Sequence, residues 1–433
     1  MAFPRSGLHE TSIPEGRSGA TPPSGKARVV ERSIVGCAAN REGGSSVRSL
    51  ETSNPRGSEL RCAPMIPLAR PWIDEAELEA ATAVLRSGML VQGAVVARFE
   101  EALAARCGRR FAVAVSNGTS ALGLVYRALG LRAGDAIAVP ALTWPSPAHA
   151  ALELGLEVRL VDVDAETWNA TNESLRAAAL AAGDVKLAVA IDQFGNPLDT
   201  IALDVPVVED AACAIGSVFA SGRPCGSLGI ASCLSFHPRK LVTTGEGGAV
   251  LTDDAELAQT LRVLRNHGQS VPGVFETGSG NYRLSELAAA VGLAQLDKLD
   301  AMIARRREHA EVIRAGLPEL RFQRAVAGAR GNEQTLGAVL PDGVDRERFF
   351  SSMRARDVQA GILSYDLTAI GTLVGNAPVA SSIVARGIAL PLFPQMTVSE
   401  CERVIEAARA ALEEAKVGSK SERAAKHVTG AER

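Results

Sequence analysis

The stretch Phe111-Ala-Val-Ala-Val-Ser-Asn-Gly-Thr-Ser120 joins a run of apolar residues to a turn of small polar residues. The apolar run predicts a buried strand, and the residues from 120 to about 129 predict a helix. At such a junction, backbone N–H groups, hydroxyls and the helix dipole converge on one point, which favours anion binding. Ser, Gly and Asn are also common in turns and caps, so the stretch predicts a strand-turn-helix unit and a candidate anion site.

The rest of the chain continues this alternation of strand-like and helix-like stretches. Helices are predicted at residues 74–87 and 94–107, the first with acidic residues in its first turn and Gly88 as a stop signal. Further buried strands are predicted at residues 136–139, 158–161, 187–191, 206–208 and 249–251. Six or seven strands that alternate with helices predict an α/β fold with one large, mostly parallel sheet.

A long charged helix, predicted at residues 300–315, divides this region from the rest of the chain. Beyond it the pattern indicates a smaller α+β segment that ends in a helix at Val398–Glu414. The sequence therefore predicts a large domain at residues 65–308 and a small C-terminal domain at residues 309–415. The basic run inside the long helix, Arg305-Arg-Arg307, is interpreted as a solvated helix face.

The two ends of the chain differ in composition from this body. Residues 1–64 hold ten Ser, eight Gly and six Pro, with nine Lys or Arg against six Glu. Such a segment buries too little apolar surface to offset the entropy of ordering, so it predicts a disordered N-terminal extension. Met65 opens the first foldable stretch, and translation from Met65 is the hypothesis set beside a genuine disordered tail. Residues 416–433 predict a frayed polar tail.

Composition and charge exclude several classes of function. The 433 residues carry 46 Lys plus Arg against 49 Asp plus Glu, a net charge of −3. This gives no basic field for nucleic acid or an anionic membrane surface, and the apolar runs fall far short of the roughly 20 residues of a membrane-spanning helix. Seven scattered cysteines without a C-x-x-C pair indicate neither disulfides nor a metal site. Without a signal-peptide pattern, the expected location is the cytoplasm.

A carboxylate ends one of the predicted strands. In Val207-Val-Glu-Asp210, the strand places Asp210 at the carboxyl edge of a parallel sheet, where α/β proteins usually bind ligands. Residues 211–215 are compatible with a helix, so a helix-capping role for Asp210 is the alternative.

A lysine lies between an apolar segment and a glycine-rich turn, in Ser235-Phe-His-Pro-Arg-Lys240. A lysine amine is nucleophilic only when deprotonated, which partial burial favours, and it can then form a Schiff base. An ordinary surface lysine is the alternative. A phosphate-binding turn, Asp210 at a strand end and Lys240 in a turn are together the three contacts that pyridoxal 5'-phosphate requires.

From about residue 66 to residue 412, the chain resembles the DegT/DnrJ/EryC1/StrS family of pyridoxal-phosphate-dependent sugar aminotransferases, which have the aspartate-aminotransferase fold type I. The landmarks occur in the family's order: Arg86-Ser-Gly-Met-Leu-Val-Gln-Gly93, Phe99-Glu100, Ser116-Asn-Gly-Thr-Ser-Ala-Leu122, Val139-Pro-Ala-Leu-Thr-Trp144, Phe194-Gly-Asn-Pro197, Glu209-Asp-Ala-Ala212, Ser235-Phe-His-Pro-Arg-Lys240, Gly245-Glu-Gly-Gly248, Arg265-Asn-His-Gly268, Asn281-Tyr-Arg283 and Leu390-Pro-Leu392. No single motif decides, but the ordered set is highly specific.

The resemblance implies a role for each matching residue. Lys240 forms the internal aldimine and then moves the proton, Asp210 keeps the pyridine nitrogen protonated, and Trp144 stacks on the ring. Asn281 is expected to enter the phosphate site of a partner subunit, which implies a homodimer with shared active sites. The full set of implied cofactor contacts is Gly118, Thr119, Ser120, Trp144, Asp210, Cys213, Ser235, Lys240 and Asn281.

The implied reaction moves an amino group from glutamate or glutamine to a keto sugar, nucleotide-linked, or to a keto cyclitol. Members that dehydrate sugars carry His in place of the lysine, so Lys240 favours transamination. The sequence departs from the family at Cys213, where many members have Gln or His, and at Asp192, where a His is frequent on the substrate side. Two alternatives remain: an aminodehydroquinate-type aromatisation with the same cofactor, and a non-catalytic regulatory homologue.

Overall fold

The computed structural model describes residues 64–182, 185–199, 201–373 and 375–416. The predicted N-terminal extension, apart from Pro64, and the predicted tail after Lys416 lie outside the described residues. Disorder at the two ends and the start at Met65 therefore stay predictions.

Helices and strands alternate along the first part of the chain. They are α1 Glu75–Ser87, α2 Ala94–Arg106, β1 Phe111–Val115, α3 Gly118–Ala128, β2 Ala136–Pro140, β3 Leu142–Thr143, α4 Ser146–Leu152, β4 Glu157–Val161, α5 Asn172–Ala182, β5 Val185–Ile191, a 3-10 turn at Gln193–Gly195, β6 Val207–Asp210, β7 Ala231–Ser235, β8 Gly248–Thr252 and α6 Ala255–Arg265. They continue with β9 Gln269–Val271, β10 Val274–Phe275, α7 Glu286–Asp297, α8 Leu299–Gly316, β11 Arg321–Phe322, β12 Leu336–Val339, α9 Arg346–Ala355, β13 Gly361–Ile362, β14 Tyr365–Asp366, a 3-10 turn at Leu367–Ala369, α10 Pro378–Arg386, β15 Gly387–Leu390 and α11 Val398–Glu414.

Seven strands form the main sheet, in the order β1-β8-β7-β6-β5-β2-β4. Strand β8 runs antiparallel to both of its neighbours, and the remaining pairs are parallel. The predicted α/β class with a large, mostly parallel sheet is confirmed.

The sheet is covered by helices on both faces because its strands are apolar on both faces. In β1, Val113 and Val115 belong to the core cluster that includes α3, whereas Ala112 and Ala114 belong to the cluster that includes α2. Successive side chains of a strand point to opposite faces, so one apolar strand contributes to two cores. The polar side chains of the site are therefore confined to the strand ends and the turns that follow them.

A second, antiparallel sheet has the order β11-β12-β15-β13 and packs on its own apolar cluster, with residues from α8, α9 and α11. These strands and helices lie in the part of the chain where the sequence predicts a smaller α+β segment. The predicted boundary at residues 308 and 309 falls inside α8, and the division into two domains stays a prediction.

Two elements near the site differ from the sequence-based expectation. Helix α3 begins at Gly118 rather than at Ser120, because Asn117 caps it and the Gly-Thr-Ser residues form its first turn. Strand β6 extends to Asp210 rather than ending at residue 208, and the residues after it form turns rather than a helix. Asp210 is therefore a strand-end residue, and the alternative role as a helix cap is wrong.

Within the described ranges, no helix combines the length and the apolar character needed to cross a membrane.

Candidate active site

Helix α3 presents its N-terminus at the carboxyl end of β1. Asn117 Oδ1 accepts the N–H of Ser120 at 2.8 Å, which fixes the first turn of the helix. The first N–H groups of a helix have no intrahelical partner and carry the positive end of its dipole. Those of Gly118 and Thr119 are thus placed to bind an anion.

Strand β7 approaches this turn so closely that a side chain at position 118 would be crowded. A Cβ atom at Gly118 would lie only 3.0 Å from the Cβ of Ser235, the last residue of β7. Two hydroxyl groups border the same turn, those of Ser235 and of Thr119, and Thr119 Oγ1 lies 2.7 Å from Ser146 Oγ. Amides and hydroxyls of this kind bind a phosphate through neutral donors.

Asp210 lies at the same edge of the sheet, at the end of β6, and is 7% exposed. Burial raises the pKa of Asp210, while the N–H of Ala212 and the charge of Lys240 oppose the rise and Glu209 adds to it. The Ala212 N–H donates to Asp210 Oδ1 at 3.1 Å. A buried carboxylate held this way is suited to a protonated ring nitrogen.

Lys240 lies in the turn that follows β7 and is partly buried. Its backbone N–H donates to the carbonyl of His237 at 2.8 Å, which shapes the turn. Its side chain Nζ donates to Cys213 Sγ at 2.9 Å. The hydrogen-bond partner of the amine is thus a thiol group, and the Asp210 carboxyl group lies close enough for the charge of Lys240 to act on its pKa.

These groups line one cavity of about 340 Å³, a volume typical of small-molecule sites. Its walls include seven of the nine predicted cofactor contacts: Gly118, Thr119, Trp144, Asp210, Cys213, Ser235 and Lys240. Ser120 lies just behind the wall, where its Oγ is 3.2 Å from Ser116 Oγ.

Asn281 is the predicted contact that lies away from this cavity. It is exposed, and its Oδ1 accepts the backbone N–H of Arg283 at 3.2 Å. Its expected role requires the site of a partner subunit, so that role stays a prediction.

Trp144 stands at the mouth of the cavity with 53% of its surface exposed. The ring of Tyr365 meets it edge to face at a centroid distance of 5.1 Å, and the guanidinium of Arg239 lies 5.8 Å from its centroid. Tyr365 is brought there because β14 pairs with β3, in which Thr143 is its partner. Sequence reasoning missed Tyr365 because no local pattern marks a contact across more than 200 residues.

The interpretation of the basic run in α8 as a solvated face is wrong for Arg306. It is 5% exposed and donates to the carbonyls of Glu333, Gln334 and Leu392 at 2.6 to 2.7 Å. Burial lowers its pKa to about 10. A signal was present in the sequence, because residue 306 falls on the helical stripe formed by Met302, Ile303, Arg306, Ala310 and Ile313.

Asp192 lines the cavity, but its carboxyl group is directed into the protein. The side chain is fully buried, and its Oδ1 accepts the N–H of Leu198 at 2.9 Å. The residue expected on the substrate side is therefore bonded to the turn after β5 instead.

The arrangement fits pyridoxal phosphate on three observations. A Cβ at Gly118 would crowd Ser235, and the turn presents helix amides to a phosphate. Asp210 supplies a buried carboxylate, and Lys240 supplies an amine within the same cavity. The cofactor's phosphate, ring nitrogen and aldehyde need donors of these three kinds.

Comparison with known proteins gives the relatives of the chain. Residues 71–409 match the DegT/DnrJ/EryC1/StrS aminotransferase family. The aminotransferase TlmJ from Streptoalloteichus hindustanus is 30% identical with a TM-score of 0.76, and the match covers 81% of this chain and 99% of that one.

Two further solved structures are similar to the chain. A GDP-4-keto-6-deoxymannose-3-dehydratase with a trapped PLP-glutamate geminal diamine is 25% identical, with a TM-score of 0.73 over 79% of this chain and 99% of that one. Spr1654 from Streptococcus pneumoniae, in its PMP form, is 22% identical with a TM-score of 0.75 over 81% and 98% of the two chains, a likeness of fold alone. Because the family match spans most of its length and includes the cavity, the chain belongs to the DegT/DnrJ/EryC1/StrS family of pyridoxal-phosphate-dependent aminotransferases.

Proposed function

We propose that the chain transfers an amino group from glutamate or glutamine to a keto sugar, nucleotide-linked, or to a keto cyclitol. One observation carries the proposal: Lys240, Asp210 and the N-terminus of α3 line the same cavity. The proposed location of this reaction is the cytoplasm.

The choice of donor and acceptor is supported by the relatives. The dehydratase was solved with glutamate on its cofactor, and its name gives a GDP-linked keto sugar as its substrate. A chain that shares a quarter of its residues with that enzyme is proposed to use the same class of molecules. Lys240 supports amino transfer rather than dehydration for this chain.

Phosphate binding is assigned to the first turn of α3 and to β7. The amides of Gly118 and Thr119 and the hydroxyls of Thr119, Ser120 and Ser235 would hold the phosphate group. The positive end of the helix dipole adds to this attraction, and neutral donors bind the dianion without a paired cation.

Asp210 and Lys240 are assigned the chemical roles. When bound, pyridoxal phosphate supplies an electron sink for the carbon next to the amine. Asp210, as a carboxylate, holds the proton on the ring nitrogen. Lys240 carries the cofactor and then acts as the general base that moves the proton at the donor's α-carbon, and as the acid when the acceptor is aminated. Cys213 holds the Nζ of Lys240 in place between these steps.

We also propose a homodimer with shared active sites. The hairpin of β9 and β10 exposes Val271, Val274 and Phe275, which are 55%, 50% and 64% exposed, and it precedes Asn281 in the chain. Apolar groups clustered in this way mark an interaction surface. A second copy that covers the hairpin would bring Asn281 to the phosphate site of its partner.

The absorbance spectrum of the full chain with pyridoxal phosphate tests the proposal. We expect a band that depends on Lys240 and disappears when glutamate or glutamine is added. Lys240→Ala should lack the band, and Lys186→Ala, at an exposed position of β5, should keep it. No band, or one unaffected by Lys240→Ala, would overturn the catalytic assignment and favour a non-catalytic role.

A further inference from the structure

Three buried groups face one another behind Asp210. Asp192 follows β5, Glu209 lies in β6, and Cys225 lies between β6 and β7. All three are buried, and a ligand atom of each lies within 4.8 Å of the others. The proposed mechanism uses none of them, and two adjacent buried carboxyl groups need a physical explanation.

Glu209 has one hydrogen-bonding position left. Its Oε1 accepts the N–H of Gly226 at 2.7 Å, and its Oε2 accepts the N–H of Leu228 at 2.7 Å and the hydroxyl of Ser232 at 2.6 Å. A carboxylate offers about four acceptor positions, so three are filled and the fourth is on Oε1. Because Glu209 already accepts from three donors and Asp192 accepts from one, a proton shared by the pair is assigned to Asp192.

Asp192, in contrast, has a carboxyl oxygen that lacks a hydrogen-bond donor. Its Oδ1 accepts the N–H of Leu198, but its Oδ2 is buried and has no nitrogen or oxygen donor. A buried acceptor without a partner is costly. A proton on Oδ2 would convert this oxygen from an unpaired acceptor into a donor.

We propose that a proton, and not a metal ion, occupies the space between Asp192 and Glu209. Protonated Asp192 donates its Oδ2–H to Glu209 Oε1. This one hydrogen bond gives a partner both to Asp192 Oδ2 and to the free acceptor position on Glu209 Oε1. The bond ties the end of β5 to β6 and thereby positions Asp210, the next residue along β6. Asp192 is thus a positioning residue for Asp210.

The surrounding charges agree with this assignment. Burial, and then the negative charge of Glu209, raise the pKa of Asp192 well above its usual value, and the hydrogen bonds from the Leu198 N–H and the Cys225 thiol oppose this rise without cancelling it. Burial and both carboxyl groups also raise the pKa of the Cys225 thiol, with Cys107 behind it, so the sulfur stays protonated. A metal ion bound here would have to displace the protons of Asp192 and Cys225, because metal ligands are deprotonated. Arg109 Nη2 donates to Ser232 Oγ at 3.1 Å, and Ser232 Oγ in turn donates to Glu209. The positive charge of Arg109 thereby offsets the negative charge of Glu209.

The link to Asp210 runs through the backbone. The N–H of Asp192 donates to the carbonyl of Asp210 at 3.2 Å, and Ile191 is opposite Asp210 in the strand register. Because Glu209 and Asp210 are adjacent in a strand, their side chains point to opposite faces. The acid pair therefore holds the strand from one face while Asp210 faces the cavity on the other. This positioning role rests on the proposed function.

The melting temperature of the cofactor-free full chain, followed against pH, tests the shared proton. A carboxyl group whose pKa is raised on folding takes up a proton, so stability falls as pH rises from the unfolded pKa toward the folded one. Asp192→Asn keeps a donor for Glu209 but cannot titrate, so we expect a smaller fall than in the wild type. Asp204→Asn, at an exposed carboxyl group, should retain the wild-type slope.

Two results would overturn the proposal. One is a slope for Asp192→Asn equal to that of the wild type. The other is a stoichiometric divalent metal in the purified chain that Asp192→Asn removes.

Titration with pyridoxal phosphate tests the positioning of Asp210. Asp192→Asn should bind with about the wild-type affinity and the wild-type pH dependence of the absorption band. Asp192→Leu, which removes the donor, should bind about tenfold more weakly, the loss expected for one hydrogen bond. Equal affinity in the two variants contradicts the positioning role. Failure of every variant to bind the cofactor contradicts the proposed function instead, and the cofactor-free melting curves still decide the shared proton.

Discussion

Lys240 and Cys213 are in direct contact, with Nζ donating to Sγ at 2.9 Å. Cys213 lies three residues after Asp210, so this contact joins the turn that follows the carboxylate to the turn that carries the amine. Of the five cysteines that the structure describes, four are buried and Cys213 is partly exposed. The thiol lines the same cavity as the lysine.

Alkylation should report the occupancy of this cavity. We expect iodoacetamide to modify Cys213 ahead of the four buried cysteines, and pyridoxal phosphate to protect it, as read by peptide mass spectrometry. In Lys240→Ala the protection should weaken, because the cofactor is no longer held covalently. Cys213→Ala should lower cofactor affinity by about tenfold or less, since a neutral hydrogen bond contributes about 0.5–1.5 kcal/mol. Modification of Cys213 at the same rate with and without cofactor would contradict its place in the site.

Hybrid dimers test whether two subunits share each site. Lys240→Ala and Asn281→Ala should each bind cofactor or turn over poorly when alone. If a site combines Lys240 of one subunit with Asn281 of the other, a mixed dimer of the two variants has one intact site and one doubly altered site. Mixing after reversible dissociation should therefore restore activity that neither variant has. The matched control, Asn281→Ala mixed with the double variant, keeps Lys240 in one subunit but offers it no intact Asn281, and it should restore none. Activity in the first mixture no higher than in this control would refute shared sites.

Local patterns predicted the elements that carry the chemistry. Residues Phe111–Val115 form the predicted strand, and the turn after it precedes a helix, because apolar runs and capping residues act over a few neighbours. Local patterns also mark Asp210 and Lys240 as candidate site residues, and both line the cavity. Tyr365 could not be found in this way, because only the pairing of β14 with β3 brings it to Trp144.

Arg306 is a different case, because the helical periodicity of the sequence indicated its burial but the composition of the basic run indicated exposure. A run of three arginines favours a solvated face, whereas helical periodicity places the middle one in the core. The donor and acceptor substrates are harder to predict, because the cavity wall proposed to receive them is assembled from distant segments such as residues 193 and 362–365.

Replacing Arg306 should destabilise the fold strongly. Arg306→Ala leaves three buried carbonyl groups without their donor, and each unsatisfied group costs about 1–3 kcal/mol, so a loss of at least about 3 kcal/mol is expected in urea unfolding. Arg305→Ala is the matched control, because this neighbour is exposed and its guanidinium lies over the ring of Trp72, at 4.9 Å from the centroid. Its loss should stay below about 1 kcal/mol. Similar losses for the two variants would show that Arg306 is not buried as described.

Glu286 should make the stability of the chain depend on pH in the acid range. Its carboxylate caps α2, accepting the N–H groups of Gly93, Val95 and Val96 at 2.7 to 3.0 Å. Burial alone would raise its pKa, but these three donors outweigh burial and hold the pKa below its usual value. A carboxyl group whose pKa is lower in the folded than in the unfolded protein stabilises the fold at pH values above its unfolded pKa. This stabilisation is lost as pH falls through the folded pKa.

Glu286→Gln should therefore be less stable than the wild type by about 1–3 kcal/mol at neutral pH, because its amide nitrogen meets an N–H donor. The difference should shrink as pH falls below the usual pKa of a glutamate, about 4.3, and should vanish once pH has fallen through the lowered folded pKa, because the wild-type carboxyl group is then protonated as well. Urea unfolding at several pH values measures it. Glu173→Gln, an acidic residue in the first turn of α5, is the matched control, and we expect a smaller loss because a helix-dipole contact at the surface contributes about 0.3–1 kcal/mol. A difference for Glu286→Gln that stays constant from neutral to acid pH would mean that packing, and not the charge of the cap, stabilises the start of α2.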